Sequence, residues 1–415
     1  GLQKADAVEI AKLLEHYGVS CINVSSGGYE NPAAFIEPCY FSEGWKKENA
    51  LAVKAAVQIP VIAVNVIKHP ETAEALLREG VCDFAGVSRA QLADPDWVNK
   101  ACSGREALLR KCIGCMSCNK EVVNHRGIRC AINPRLGRER DYNDAALRRD
   151  GAGRCVPVIG GGPAGMQAAI VLAERGFRPI LFERRAYLGG SAVLASKAPC
   201  KGLVAEYIET QKNQLAALGV QVELNHAPTM AELRRLDPYG IFVAMGGQQI
   251  VPDIPGIDRE NVFGIEDILL GRRAIEGREV AVIGGGHVGL EVAHFLCANN
   301  KVTIVEMADE IGASVYYITK FKLLPLLREA GVTFRTGQAI AAVDDGGIRL
   351  RDTHSGQCTE LKAEAVVLAM GSRPDLAARA EFDRNFDRVV YAGDAVRGGT
   401  MLEANRDAFA LAWEF

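Results

Sequence analysis

The sequence predicts an α/β protein built on parallel sheets, and two observations carry this prediction. Residues 1–110 repeat an amphipathic helix and a short apolar strand three times. Later in the chain, glycine-rich loops at 160–165 and 284–289 each follow an apolar strand and open a helix. Short apolar strands that alternate with helices are typical of βα units, whose strands pair in parallel.

Length and composition describe an ordinary globular protein of two or three domains. The chain has 415 residues, of which 48% are hydrophobic and 24% are charged, and its formal net charge is −3. This balance gives no reason to expect nucleic acid or a membrane surface as a partner. Twelve cysteines without a signal-peptide pattern favour a reducing compartment, so we expect a cytoplasmic protein.

The first 110 residues contain three βα repeats. An open three-stranded sheet would leave an apolar edge, and three strands cannot close a barrel. We therefore expect residues 1–110 to be part of something larger. The predicted helices cover 7–17, 45–57 and 71–79, and the predicted strands cover 19–24, 61–64 and 82–87.

Four cysteines follow at Cys112, Cys115, Cys118 and Cys130. Three close thiolates can hold one face of an iron–sulfur cluster from a single loop, and a distant fourth closes the coordination. A structural zinc ion is the alternative, although zinc sites usually use two separated C-x-x-C pairs. The spacing therefore favours a [4Fe–4S] cluster within a segment and linker at 111–150.

The two glycine loops have the spacing of dinucleotide-binding turns. The first glycine permits the tight turn, the second admits the pyrophosphate, and the third lets the helix pack on the strand. An acid that ends the next strand binds ribose hydroxyls and repels a 2′-phosphate, which favours NADH at the second loop. Surface glutamates at strand ends are the alternative. The predicted binding residues are Gly160, Gly162, Gly165 and Glu183 at the first loop and Gly284, Gly286, Gly289 and Glu306 at the second.

The end of the chain is predicted to return to the first of these domains. A strand at 389–392 precedes Gly393 and Asp394, and a helical tail follows. In a flavin domain, a carboxylate at this place accepts a hydrogen bond from the ribityl chain. A plain strand-to-helix turn with Asp394 as its cap is the other interpretation.

Taken together, these motifs resemble the NADH:flavin oxidoreductases of the old yellow enzyme family. The relevant members join a barrel to an iron–sulfur segment and a disulfide-reductase-like module, as do 2,4-dienoyl-CoA reductases, enoate reductases and trimethylamine dehydrogenase. The resemblance covers essentially the whole chain. It is carried by residues 59–64, 86–89, 93–96, 112–115, 130–134, 160–165, 188–190, 195–197 and 393–394.

The resemblance implies a domain plan and four cofactors. Residues 1–110 would be the last three βα units of a TIM (β/α)8 barrel, with the FMN phosphate at Asn65, Ser88 and Arg89. Two Rossmann-like domains of the disulfide-reductase type would follow. An FAD-binding domain would span 151–270 and 372–415, with Gly190 among its contacts, and an NAD(H)-binding domain would span 271–371.

The chain departs from the family pattern in three places. Asn65, Val66 and Ile67 replace a glycine-rich turn, Ser88 replaces a glycine, and only two residues separate Cys115 from Cys118. The first five barrel strands, which in the family carry the catalytic acid, have no counterpart in this sequence. The catalytic residues are therefore unknown.

The implied activity is electron transfer from NADH through FAD and a [4Fe–4S] cluster to FMN, with reduction of an activated C=C bond in a small-molecule substrate. One alternative is an amine dehydrogenase of the trimethylamine dehydrogenase type. Another is an electron-transfer fragment or subunit that needs a partner to supply the rest of the barrel. A homo-oligomer also stays open.

Overall fold

The computed structural model describes residues 2–415 and confirms the α/β class. It contains two compact units: the first ends at Met116 and the second comprises Ser117–Phe415. All strand pairs are parallel in the three-stranded sheet of the first unit and in the two five-stranded sheets of the second. Between residues 2 and 415, no helix is both long and apolar enough to span a membrane.

The first unit contains the three expected βα repeats around a parallel sheet in the order β1-β2-β3. Its strands are shorter than predicted. Its elements are α1 (Lys4–His16), β1 (Ile22–Val24), α2 (Pro32–Phe35), α3 (Lys47–Lys54), β2 (Val61–Ala63), α4 (Pro70–Arg78), β3 (Phe84–Ala85), α5 (Arg89–Ala93), α6 (Trp97–Cys102) and a 3₁₀ turn (Glu106–Leu108).

Trp97 organises the core of this unit. Its ring is 5% exposed and packs in a cluster that includes Leu76 and Leu109. Its indole N–H donates to the Lys68 carbonyl oxygen at 2.9 Å, which satisfies a polar group that burial would otherwise penalise. The loop after β2 is thereby tied to the helical layer beneath it.

The second unit contains the remaining strands and helices. Its strands are β4 (Cys155–Ile159), β5 (Arg178–Glu183), β6 (Gln221–Leu224), β7 (Ile241–Val243), β8 (Gly247–Gln249), β9 (Val262–Gly264), β10 (Glu279–Ile283), β11 (Lys301–Val305), β12 (Thr333–Arg335), β13 (Gln338–Asp344), β14 (Gly347–Asp352), β15 (Cys358–Lys362), β16 (Ala365–Leu368), β17 (Ser372–Pro374) and β18 (Val389–Tyr391).

The helices of this unit cover the two larger sheets. They are α7 (Ser117–Val123), α8 (Pro163–Glu174), α9 (Ser191–Lys197), α10 (Gly202–Ala217), α11 (Met230–Arg235), α12 (Ile265–Leu269), α13 (His287–Leu296), α14 (Tyr317–Glu329), α15 (Leu376–Asn385) and α16 (Met401–Glu414), with a 3₁₀ turn at Gly393–Ala395.

Two five-stranded parallel sheets form the frame of the second unit. The first has the order β18-β7-β4-β5-β6, and the second has the order β12-β11-β10-β16-β9. Strand β18 pairs with β7 through Val389 and Ile241, so the last part of the chain does join the first sheet. An antiparallel sheet of β13, β14 and β15 is inserted between β12 and β16.

Helix α16 is fixed on this frame by Arg175, the residue that follows α8. The Arg175 side chain is 1% exposed and donates to the Ala412 carbonyl oxygen at 2.8 Å, near the end of α16. Its other nitrogens contact Asp150 Oδ1, at 2.7 Å for the closer one. A cation near the last carbonyl groups of a helix also interacts favourably with the negative end of the helix dipole.

Candidate functional site

The first glycine loop, residues 160–165 (loop A), is a turn that only glycine can build. Gly160 follows β4 with φ +105°, in a region that disfavours residues with side chains. A Cβ added to Gly165 would lie 1.9 Å from the Gly160 carbonyl oxygen. Strand and helix therefore meet backbone to backbone, and the amino end of α8 faces the space above the loop. This is the cradle that a pyrophosphate requires.

The second loop, residues 284–289 (loop B), repeats this geometry almost atom for atom. Gly284 has φ +110°, and a Cβ added to Gly289 would lie 1.8 Å from the Gly284 carbonyl oxygen. The Gly160 and Gly284 amides each donate at 2.8 Å to a carbonyl of the neighbouring strand, at Phe182 and at Val305. The unit thus presents two cradles of the same construction.

The predicted ribose-binding acids lie against their loops. Glu183 Oε2 accepts the Gly161 N–H at 2.7 Å, and Glu306 Oε2 accepts the Gly285 N–H at 2.6 Å. The second oxygen of each carboxylate accepts a further backbone N–H two residues along, at 2.9 Å and 2.8 Å. Carboxylates bonded in this way are fixed in direction and keep lone pairs for ribose hydroxyls.

Two more predicted residues gather at loop A. A Cβ on Gly190 would lie 3.0 Å from the Gly162 Cα, so the 188–190 segment lies directly against the loop. A Cβ on Gly393 would lie 3.2 Å from the Ala164 Cβ, which brings the 3₁₀ turn with Asp394 to the start of α8. The fold therefore assembles these residues from three distant parts of the chain around one cradle.

Asp394 occupies a partly desolvated position in this cradle. Burial raises the pKa of its carboxyl group, against hydrogen bonds from the Gly399 N–H at 3.1 Å and the Ser372 hydroxyl at 3.3 Å. Further hydrogen-bond donors would stabilise the ionised form of this carboxylate, and the hydroxyl groups of a polyhydroxyl chain are such donors. The geometry is compatible with the ribityl contact that the resemblance implies.

Glu291 forms a buried ion-pair cluster next to loop B that sequence reasoning missed. It is 7% exposed, and its Oε1 lies 2.6 Å from the Lys201 Nζ and 2.7 Å from the His287 Nε2. Burial alone would raise the Glu291 pKa, but the Lys201 charge and the His287 contact lower it to about 2. Because Lys201 precedes α10 and Glu291 lies on α13, this pair joins the layers of the two five-stranded sheets. The i, i+4 spacing of His287 and Glu291 was the available signal in the sequence.

In the first unit, the turn after β2 keeps a glycine-like backbone without any glycine. Asn65 has φ +82° and Val66 has φ +50°. This left-handed backbone conformation costs a β-branched residue about 1–2 kcal/mol of free energy. The Asn65 Oδ1 is buried and has no hydrogen-bond partner. The turn therefore adopts a backbone that glycine would adopt without strain, and it leaves one buried acceptor, the Asn65 Oδ1, unpaired.

Arg89, predicted at the same phosphate, is held by Glu37. An Arg89 Nη2 to Glu37 Oε2 contact of 3.1 Å pairs the two, and Lys46 Nζ lies 2.8 Å from Glu37 Oε1. Glu37 is 2% exposed, so the guanidinium has a fixed position at the start of α5. Ser88, whose backbone was predicted to contact the phosphate, directly precedes α5. The turn at Asn65 and this helix follow adjacent parallel strands, β2 and β3.

The four cysteines divide between the two units, with Cys112 and Cys115 in the first and Cys118 and Cys130 in the second. In residues 2–415 there is no preformed group of three or more histidine, cysteine, aspartate or glutamate side chains able to hold a metal ion. Burial raises the pKa of the Cys112 thiol, with the Arg89 charge acting against it. The cluster stays a prediction.

Backbone supports for the second pair of cysteines are visible in the second unit. The Asn405 side chain, fully buried in α16, donates to the Ala131 carbonyl oxygen at 2.7 Å, next to Cys130. Glu121 of α7 lies 3.4 Å from the Arg129 guanidinium, on the other side of Cys130. The segments that carry Cys118 and Cys130 are therefore tied to each other and to α16.

Comparison with known proteins agrees with this geometry. Residues 155–388, which contain both cradles, match the pyridine nucleotide-disulphide oxidoreductase family. The chain belongs to this family. Residues 3–107 match the NADH:flavin oxidoreductase / NADH oxidase family, so the resemblance to oxidoreductases that combine these two parts is confirmed.

Individual relatives carry both parts. The chain is 37% identical to an NADH oxidase of Thermoanaerobacter brockii and 29% identical to a cinnamate reductase of Clostridium sporogenes. Each alignment covers 98% of the present chain. A solved 2-naphthoyl-CoA reductase complex superposes with a TM-score of 0.93 at 28% identity over the whole chain. The chain spans 63%, 61% and 63% of these proteins, respectively.

The Asn65 turn generates a prediction about stability. Asn65→Gly should raise the free energy of unfolding of the first unit by about 1 kcal/mol, because it removes a buried, unpaired oxygen and suits the positive φ. Asn65→Ala removes the same oxygen and keeps the backbone strain, so it should gain less. Urea unfolding followed by tryptophan fluorescence would measure both, since Trp45 and Trp97 lie in this unit. An Asn65→Gly protein less stable than Asn65→Ala would contradict the prediction.

The Glu291 cluster generates a prediction about pH. The folded pKa of about 2 is below the ordinary 4.5, so this group stabilises the fold above pH 4.5 and loses its contribution as the pH falls towards 2. The shift corresponds to about 3 kcal/mol. Glu291→Gln should therefore lower the free energy of unfolding by about this amount at neutral pH, and the difference from the unmodified protein should shrink towards pH 2.

Urea unfolding at pH 7 and at pH 3 would measure this difference. Glu209→Gln is the matched control, because Glu209 pairs with Lys212 at 2.9 Å on the exposed face of α10. Exposed pairs contribute about 0–1 kcal/mol. Equal losses for Glu291→Gln and Glu209→Gln at pH 7 would refute the buried ion pair as a stabilising interaction.

Proposed function

We propose that this chain is the nucleotide-oxidising part of an NADH:flavin oxidoreductase, in which electrons pass from NADH through FAD and a [4Fe–4S] cluster to FMN. The observation that carries the proposal is the pair of equivalent cradles, loop A and loop B, in one compact unit. Two dinucleotide sites with the same backbone geometry would allow NADH bound at one to reduce a second nucleotide cofactor bound at the other.

The residues present fit FAD at loop A. Gly160, Gly162 and Gly165 would leave room for the pyrophosphate, and Glu183 would hold a ribose. The 188–190 segment and Gly393–Asp394 would lie along the remainder of the cofactor. The positive end of α8, opened by Pro163 in its first turn, would face the phosphates.

The residues present also fit NAD(H) at loop B. Gly284, Gly286 and Gly289 repeat the cradle, and Glu306 would accept hydrogen bonds from the adenosine ribose. A carboxylate held by two backbone N–H groups cannot turn away from a 2′-phosphate, so its negative charge disfavours NADPH. The flavins and the cluster, when bound, supply two-electron acceptance from NADH and one-electron release, while the protein supplies position and electrostatic tuning.

The proposed substrate is a small molecule with an activated C=C bond, such as an enoate or enoyl-CoA thioester. The similarity to a protein named cinnamate reductase supports this class, since cinnamate carries a double bond conjugated to a carboxylate. The barrel role of residues 1–110, and with it the FMN phosphate at Asn65, Ser88 and Arg89, belongs to the same proposal. Loop B favours this function over the amine dehydrogenase alternative, whose trimethylamine-type members lack a working nicotinamide site.

Anaerobic NADH should bleach the flavin absorbance of the purified chain. In Gly289→Ala the added Cβ would meet the Gly284 carbonyl oxygen at 1.8 Å, so loop B must deform. We expect bound flavin to be retained and the bleaching rate at a fixed NADH concentration to fall about 100-fold. Dithionite should still bleach the variant fully. Stopped-flow absorbance would measure both reactions.

Gly202→Ala is the matched control, because its added Cβ would meet no atom within 4 Å. It should bleach like the unmodified chain. Retention of fast NADH bleaching in Gly289→Ala, or failure of NADH to bleach the unmodified chain, would contradict the proposal.

The cluster is tested by chemical analysis of the same protein. About four iron atoms and four acid-labile sulfides per chain are expected for a [4Fe–4S] cluster bound by Cys112, Cys115, Cys118 and Cys130. Cys130→Ser should lose most of both, whereas Cys358→Ser, at an exposed position outside the quartet, should retain them. Zinc without sulfide would remove the one-electron bridge from the proposed path.

A further inference from the structure

A short connector joins loop B to the helix that carries Cys118. It consists of residues 312–316, between β11 and α14. At one end, the Gly312 N–H donates to the Gly285 carbonyl oxygen in loop B at 2.9 Å. The Val315 N–H then donates to the Gly312 carbonyl oxygen at 2.9 Å, which makes the connector a compact turn. The connector is therefore bonded to the loop predicted to bind the pyrophosphate.

Tyr316 is the other end of the connector. Its hydroxyl donates to the Asn119 Oδ1 at 2.6 Å. Asn119 is the residue after Cys118, and both lie on α7. Burial raises the pKa of the Tyr316 hydroxyl, and the neighbouring Tyr317 acts in the same direction, so the group stays protonated as a donor. A hydrogen-bonded path thus runs from Gly285 to the helix of a predicted cluster ligand.

The segment after β5 is bonded to loop A in the same way, but it has no counterpart of the Tyr316 hydrogen bond at the equivalent position. There the Gly189 N–H donates to the Gly161 carbonyl oxygen at 2.8 Å, as Gly312 does to Gly285. Four residues after Gly189 comes Val193, whereas four residues after Gly312 comes Tyr316. Valine has no side-chain donor, so this position makes no such hydrogen bond after loop A.

We propose that Tyr316 is a positioning residue that couples nucleotide binding at loop B to the helix carrying Cys118. A nucleotide that orders loop B would also order the connector bonded to Gly285, and through Tyr316 it would restrain α7. A helix of seven residues has little stability of its own, so one such restraint has a measurable effect on its opening. The coupling needs no change of average structure, because loss of motion alone can link two sites.

By thermodynamic reciprocity, the ordered form of α7 would in turn bind nucleotide more tightly, by the factor by which nucleotide favours that form. The inference rests on the proposed binding of NAD(H) at loop B. It adds that the nicotinamide site and the cluster segment communicate through the protein, independently of electron flow.

Hydrogen exchange of the α7 amides tests this coupling in the full chain as purified. Saturating NAD⁺ should slow exchange in α7 about fivefold or more in the unmodified protein. Tyr316→Phe removes only the hydroxyl and should abolish the slowing. Asn119→Ala removes the acceptor at the other end and should have the same effect, and the double variant should lose nothing further.

Tyr239→Phe is the matched control. Tyr239 lies in the same unit, and its N–H donates at 2.9 Å to Cys155, at the end of β4 opposite loop A. This variant should keep the NAD⁺-dependent slowing. Persistence of the slowing in both Tyr316→Phe and Asn119→Ala, or no slowing in the unmodified protein with NAD⁺ bound, would overturn the inference.

Calorimetric titration with NAD⁺ separates this failure from failure of the proposed function. If NAD⁺ binds saturably but α7 does not respond, the coupling is wrong and the nucleotide site stands. If NAD⁺ does not bind the unmodified protein, the assignment of loop B is wrong, and the coupling that depends on it falls as well.

Discussion

The backbone contact between strand and helix in each loop is the constraint on which the second unit depends. At Gly165 and Gly289 a single methyl group would lie within 2 Å of a carbonyl oxygen, so no other residue fits without moving the helix. This closeness brings the amino ends of α8 and α13 to the carboxyl ends of their sheets. It also fixes the direction of Glu183 and Glu306, whose carboxylates are bonded to the loops themselves.

Polar side chains link parts of the second unit that lie far apart in the chain. Glu291 and Lys201 pair across the layers of the two sheets, and Tyr316 bonds the loop B connector to α7. Removing one partner of a buried ion pair destabilises the fold, because the other charge is left buried without compensation. Both charges must therefore meet their partner for the pair to be tolerated. Polar contacts of this kind therefore favour one mutual arrangement of the two halves.

The sequence was sufficient for the fold class, for both loops and for the return of β18 to the first sheet, because each rests on local patterns. Strand β10 is found where the apolar run from Glu279 to Ile283 predicted it. The Glu291–Lys201 pair and the Tyr316–Asn119 contact were missed, because the two partners lie 90 and 197 positions apart in the chain. Nothing in the local pattern of either residue identifies a partner at such separation. The shortened strand β3 had a similar cause, since its length is set by pairing with β2 rather than by its own apolar run.

The turn at Asn65 and Val66 has a left-handed backbone although neither residue is glycine. Two residues with side chains occupy the left-handed region where a glycine turn would be free of strain. The Val66 side chain is 6% exposed, so burial of its methyl groups offsets part of the backbone cost. Asn65 has no such compensation, because its oxygen is buried without a partner. A backbone cost that packing does not offset is typical of functional sites, and this turn and helix α5, which begins with Arg89, follow the adjacent parallel strands β2 and β3.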